Sequence, residues 1–385
     1  MTFIPVNEPL LDGNEKRYLI ECIDTGWISS EGPFIKQFEE KFAARIGRKF
    51  GIAVANGSVA LDTAVTAIGI KHGDEVIMPT LTIISPAASV VRAGGIPVLV
   101  DSDPVTWNMD VKLLEAKVRD EVEVKGNKNL KAIMVVHIYG LPVDMHPVLE
   151  LAKKYDLKII EDAAEMHGQT CYGNPCGSFG DISIFSFYPN KHITTGEGGM
   201  VVTDDEALAE RCRSLRNLCF QPQKRFVHEE LGWNFRMTNL QAALGLAQLE
   251  RLDEFVSRKR RMGRLYTKLL LHIEGLELMP EKTDYADNIY WVYGLVLKDE
   301  VLFDAEEAMR RLSAEGIGSR PFFWPMHEQP VFKKMGLFIN ERYPVAERLA
   351  RRGFYVPSGL ALTDVQMERV AEEVTKMMKI RRLEG

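Results

Sequence analysis

Between residues 50 and 205, short apolar runs rich in Val and Ile alternate with stretches of mixed polarity long enough to form helices. The runs are Val76–Met78, Ile96–Val100, Ala132–His137, Lys158–Glu161, Ile182–Phe187 and Met200–Thr203. A strand with one wet face alternates apolar and polar residues, whereas a near-continuous apolar run predicts a strand covered on both sides. The pattern therefore predicts a mainly parallel sheet between two helical layers.

The segments between the runs carry helix signals. Leu61, Ala64, Val65 and Ile68 share one face ahead of Gly69, and Ser85–Arg92 ends before Gly94. Past Asn234, Thr238 and Gln241 have capping-box spacing, and Leu240, Leu244, Ala247, Leu252 and Phe255 predict one continuing apolar stripe. From about residue 260 the pattern becomes mixed, with a strand at Trp291–Leu297 and helices at Ala305–Ala314 and Asp364–Met378. The expected fold class is α/β: a large domain over residues 1–255, with a smaller α+β domain over 256–385 packed closely on it.

Composition removes several function classes. With 46% hydrophobic and 26% charged residues, the 385-residue chain is neither fibrous nor disordered. Its net charge of −6, from 48 Lys and Arg against 54 Asp and Glu, gives no bulk attraction to nucleic acid or an anionic membrane. The longest uncharged run, residues 76–91, is broken by Pro79 and Pro86 and is shorter than the roughly 20 apolar residues of a spanning helix. No basic-then-apolar leader pattern opens the sequence, and the expected location is the cytoplasm. Cys22, Cys171, Cys176, Cys212 and Cys219 form an odd set without a Cys-x-x-Cys pair, so free thiols are expected and no metal site. The basic run Ser257–Arg264 reads as a solvated helix face.

Three segments carry candidate chemistry. Lys191 stands in a Gly- and Thr-rich loop after an apolar strand, five residues beyond Ser186, which suits a Schiff-base lysine beside a phosphate-binding hydroxyl. Asp162 closes another buried strand, at the sheet edge where ligands bind; a carboxylate there suits a protonated ring nitrogen, or caps the next segment. Asn56-Gly57-Ser58-Val59 opens an amphipathic helix whose free N–H groups and dipole make a phosphate seat. Neither a G-x-G-x-x-G nor a P-loop motif occurs. A phosphate seat, an acidic ring partner and a lysine, in that order, are what pyridoxal 5'-phosphate requires.

Asn56-Gly-Ser, Glu161-Asp-Ala-Ala-Glu165, Ser186-Phe-Tyr-Pro-Asn-Lys191, Gly196-Glu-Gly-Gly199 and Gly232-Trp-Asn-Phe-Arg-Met-Thr-Asn239 together resemble the DegT family of sugar-nucleotide aminotransferases, within the fold type I pyridoxal-phosphate enzymes. The resemblance runs from Gly26-Trp-Ile-Ser-Ser-Glu-Gly-Pro33 into the carboxyl-terminal part. It implies that Lys191 bonds the cofactor, Asp162 meets its ring nitrogen and Glu165 contacts its ring hydroxyl. It implies phosphate contacts from Ser58, the Val59 amide and Ser186, and from Asn234 of a second subunit, hence a homodimer with shared sites. Members often carry an aromatic residue where this chain has Ile83, which forgoes π-stacking on the ring.

Trp27-Ile-Ser-Ser30 and Arg320–Pro330 resemble members that aminate C4 of GDP-4-keto-6-deoxy-D-mannose with L-glutamate as donor. Trp27, Arg320, Phe322 and His327 are the substrate-binding candidates, although the aromatic residues of the second segment equally suit domain packing. UDP- or dTDP-linked keto sugars, aminated at C3 or C4, are the alternative substrates. A family dehydratase has histidine in place of the lysine, which Lys191 excludes, and a cofactor-binding regulator without turnover is disfavoured by the intact Lys191, Asp162, Glu165 and Ser186 set. An acidic chain that accepts a nucleotide diphosphate must supply positive potential locally, from helix starts and a few arginines.

Overall fold

The computed structural model describes residues 2–221 and 223–379; residue 1 and residues 380–385, at the ends of the expected domain ranges, lie outside the described residues. The strands are β1 Phe50–Val54, β2 Glu75–Pro79, β3 Ile96–Val100, β4 Leu130–Val136, β5 Lys158–Asp162, β6 Thr170–Cys171, β7 Asn174–Pro175, β8 Ile182–Ser186, β9 Gly199–Thr203, β10 Leu276–Leu278, β11 Tyr293–Leu297, β12 Arg320–Pro321 and β13 Gly353–Val356. The first seven-stranded sheet runs β1-β9-β8-β5-β4-β2-β3. Its β2, β3, β4, β5 and β8 are parallel, while β9 is antiparallel to both β8 and β1.

Burial on both faces explains the apolar runs. In β4, Ala132, Met134 and Val136 join one buried cluster and Ile133 and Val135 the opposite one. The covering helices are α1 Glu15–Thr25, α2 Pro33–Ile46, α3 Gly57–Ala67, α4 Ser85–Arg92, α5 Val111–Arg119, α6 Met145–Tyr155, α7 Glu206–Arg216 and α8 Asn239–Leu249. Helix α3 begins where the Asn56 side chain accepts from the Val59 N–H at 3.0 Å and ends before Gly69, whose φ of +92° only glycine adopts freely.

The capping box of Thr238 and Gln241 forms as the spacing predicts, but the expected continuous stripe is two helices. Helix α8 stops, and α9 Leu252–Leu270 starts after Arg251 at φ −113°. Side chains distant in sequence pin the break: Tyr18 and Asn14 donate to Glu250 at 2.6 and 2.7 Å, and Asp12 pairs with Arg251.

Helix α9 buries Leu252 and Phe255 with the first sheet, and Met262, Tyr266 and Leu270 in a separate core. That core is completed by α10 Ala305–Ala314, by α13 Asp364–Lys379 and by the antiparallel sheet β10-β11-β13-β12. Helices α11 Pro330–Lys334 and α12 Pro344–Arg352 lie between α10 and α13 in sequence. The amino-terminal segment also reaches this part: Ile4 bridges Ile317, and Ser358 N–H donates to Val6 O.

The basic run departs from the solvated face expected of it. Lys259 is 2% exposed, its ammonium donating to the carbonyls of Trp291, at 2.8 Å, and Ser358. Burial pushes its pKa down to about 7. No helix of the described residues is long and apolar enough to cross a membrane.

Candidate active site

A cavity of about 780 Å³ opens at the carboxyl ends of the parallel strands, between the first sheet and the start of β11. The alternation of side chains along β5 selects its carboxylate. Glu161 points away from it, accepting from the Gly177 and Phe179 N–H groups, the Ser183 hydroxyl and His137. Its neighbour Asp162 faces the cavity. Burial raises Asp162 to about 6, against the opposing pull of the Ala164 N–H and Lys191.

Glu165 lies one turn further on, 5% exposed. Its Oε2 accepts from the Tyr139 N–H at 2.7 Å, and its Oε1 lies 3.4 Å from Lys191 Nζ. Burial again dominates and raises Glu165 to about 7. Two carboxyls and a lysine thus share one wall of the cavity.

The phosphate-seat turn closes the other side. A Cβ on Gly57 would stand 2.7 Å from Ser186 Cβ, so glycine is what allows the start of α3 to touch the end of β8. This contact brings Ser58 and Ser186 to one wall. Ser58 Oγ lies 2.8 Å from Ser85 Oγ, a third hydroxyl that sequence reading had not singled out. The Val59 N–H, expected to meet a phosphate, is taken by Asn56 Oδ1, leaving Gly57 and Ser58 as the outward amides of the turn.

Aromatic residues remote in sequence form the rest. The Trp291 ring centroid is 4.0 Å from Lys191 Nζ, and its indole N–H donates to Asn190 O at 2.9 Å. Tyr188, Phe323 and Tyr355 also line the cavity, as does Ile83, which is 48% exposed. The sequence places Trp291 only in a strand and does not single out Tyr355, and nothing in their local pattern marks them as wall.

The substrate candidates are dispersed. Arg320 is exposed and pairs across the sheet with Tyr355, beside the cavity rather than in its wall. Phe322 is 3% exposed and stacks on Tyr139 with centroids 4.4 Å apart, taking the packing alternative. His327 is 2% exposed between Thr80 and Glu347. Trp27 and Asn234 are exposed and lie outside this cavity.

The wall suits pyridoxal phosphate on structural grounds: besides the hydroxyls and amides of the seat, the Thr82 hydroxyl and Asn190 Oδ1 are buried on it without a protein partner.

Residues 9–375 match the DegT/DnrJ/EryC1/StrS aminotransferase family. GDP-perosamine synthase of Escherichia coli O157:H7 is 41% identical over 376 residues, covering 98% of this chain and 99% of that one. GDP-perosamine synthase of Caulobacter vibrioides is 42% identical over 375 residues, covering 97% and 98%. The crystal structure of the aminotransferase TlmJ from Streptoalloteichus hindustanus, 29% identical, superposes with a TM-score of 0.88 over 98% of this chain and 99% of that one. The chain belongs to the DegT/DnrJ/EryC1/StrS aminotransferase family.

Proposed function

We propose that the protein is a pyridoxal-phosphate-dependent aminotransferase that moves an amino group from L-glutamate to C4 of GDP-4-keto-6-deoxy-D-mannose, giving GDP-perosamine. The observation that carries the reading is the buried set of Lys191, Glu165 and Asp162 facing the start of α3 across one cavity. Near-full-length likeness to GDP-perosamine synthases supports the substrate.

When bound, pyridoxal phosphate supplies an aldehyde that condenses with amines and a ring that accepts the electron pair released at a substrate carbon. Gly57, Ser58 and Ser186 are the residues to hold its phosphate, with the α3 dipole favouring the negative charge. Asp162 would pair with a protonated ring nitrogen, and that positive partner would return its carboxyl to the ionised form. Glu165 is the partner for a ring hydroxyl and the counter-charge for Lys191. Lys191 takes the proton from the donor carbon at Nζ, and in the second half-reaction delivers one to the sugar carbon. The aromatic wall keeps water from these transfers.

Asn234, exposed and outside this cavity, fits a role in a partner's site within a homodimer. Five unpaired, buried cysteines agree with the reducing conditions of the cytoplasm.

The test supplies cofactor-loaded protein with glutamate and a panel of keto-sugar nucleotides. A 4-amino product from the GDP-linked substrate is expected; amination only of UDP- or dTDP-linked sugars would reject the perosamine assignment.

A further inference from the structure

Lys259 is a buried titratable group that the proposed mechanism leaves unused. It stands on the buried face of α9 with Phe255, Val256 and Met262, and no carboxylate pairs with it among the described residues. A methionine would fill the same space without burying a charge, so packing alone does not call for lysine.

What the ammonium adds is a junction. Tyr293 faces Val356 in the ladder of β11 and β13, so Trp291 and Ser358 are the next facing positions beyond its end. There Lys259 Nζ donates to both main-chain carbonyls, at 2.8 Å for Trp291.

Two hydrogen-bonded paths lead from that junction to the lysine loop. On the first, the Trp291 indole N–H donates to Asn190 O at 2.9 Å. On the second, Ser358 N–H donates to Val6 O at 2.9 Å, and the side chain of the next residue, Asn7, donates to Pro189 O at 3.0 Å. Ala361 N–H donates to Glu8 O at 3.3 Å and keeps the two segments of this path side by side. The paths share no residue between Lys259 and the loop, yet they end on consecutive carbonyls. Those carbonyls matter because Lys191 N–H closes a turn on Tyr188 O at 2.9 Å, and residues 189 and 190 are the centre of that turn.

We propose that Lys259 is a positioning residue for Lys191: through Trp291, and through Ser358, Val6 and Asn7, it fixes the turn that aims the reacting amine into the cavity. A misplacement of about 1 Å at a reacting group costs on the order of a hundredfold in rate, so a clamp on this turn is felt in chemistry more than in binding. The assignment rests on the reading of Lys191 as the amine that bonds the cofactor.

The test compares the parent with Lys259→Met and Asn7→Ala. Cofactor-free protein is mixed with pyridoxal phosphate, and the rate of covalent capture is read by borohydride trapping. Pyridoxamine phosphate, which has no aldehyde, reports the fit of the site without the lysine bond. In Lys259→Met, capture is expected to slow at least about tenfold while the Kd for pyridoxamine phosphate stays within about twofold; kcat of the loaded enzyme falls with capture, and KM for glutamate is held. Asn7 is half-buried and its variant leaves Lys259 and the core in place, so it tests one path without a shared folding risk; slowing of about threefold is expected. The parental capture rate in either variant would overturn the proposal, as would a loss of pyridoxamine phosphate affinity equal to the loss of capture rate, which would make Lys259 a residue of the fold alone. A parent that captures no pyridoxal phosphate would count against the role of Lys191 instead.

Discussion

Lys191 Nζ is held between the Trp291 ring, 4.0 Å from its centroid, and Glu165 Oε1 at 3.4 Å. The indole N–H is fixed on Asn190 O, and the buried Lys259 ammonium donates to the main-chain carbonyl of the same residue. A cation over a desolvated indole face is worth about 1–2 kcal/mol. Trp291→Leu removes both the ring and the Asn190 bond, so turnover is expected to fall about tenfold while KM for glutamate changes little. Steady-state kinetics decides: an unchanged kcat would remove Trp291 from the positioning of Lys191.

The raised carboxyls make stability depend on pH. Asp162 near 6 and Glu165 near 7 bind protons in the fold that the unfolded chain has released, so stability of the cofactor-free protein falls as pH rises from about 4 to 7. For Asp162 the cost at pH 8 is about 3 kcal/mol. Asp162→Asn should therefore melt higher than the parent at pH 8, with a smaller gain at pH 5, and lose transamination. Equal gains at both pH values would contradict the buried-carboxylate account.

His327 bridges Thr80 Oγ1 at 2.9 Å and Glu347 Oε1 at 3.2 Å, and the second of these is also bound by Arg342. The hydrogen bonds from Arg342, ahead of those from Tyr343 and His327, hold Glu347 at about 2. His327→Leu leaves the buried Thr80 hydroxyl and one Glu347 contact unmet, costing about 1–3 kcal/mol. The expected result is a lower denaturation midpoint with KM for the nucleotide sugar within about twofold of the parent. A large KM effect at unchanged stability would restore the substrate role that the sequence suggested.

What could be read in advance follows from how far each signal reaches along the chain. The buried parallel strands were legible because both faces of β4 and β5 are covered, but hydrophobicity does not encode direction, and β9 turned out antiparallel to β1 and β8. The capping box was legible because its partners are three residues apart; the break after α8 was not, because Tyr18 and Asp12 pin it from more than 230 residues away. Charge pattern misread Lys259 for the same reason, its acceptors lying on Trp291 and Ser358. The motif residues Asp162, Ser186 and Lys191 meet because strands end together, whereas Trp291 joins them only through the packing of the second sheet.

Ile83 offers a test in the opposite direction, by gain rather than loss. It is 48% exposed on the cavity wall, in the loop after Thr80 whose position His327 fixes. At that exposure a larger side chain meets no packed core, so the usual penalty for overfilling does not apply. An aliphatic group covers an aromatic ring by dispersion alone, whereas an aromatic pair adds about 0.5–1.5 kcal/mol, or roughly two- to tenfold in affinity. Ile83→Phe is therefore expected to retain pyridoxal phosphate more tightly, read as slower loss of cofactor absorbance on dialysis and a lower Kd on titration back. Weaker retention would mean that residue 83 does not face the ring, and that Trp291 or Tyr188 covers it instead.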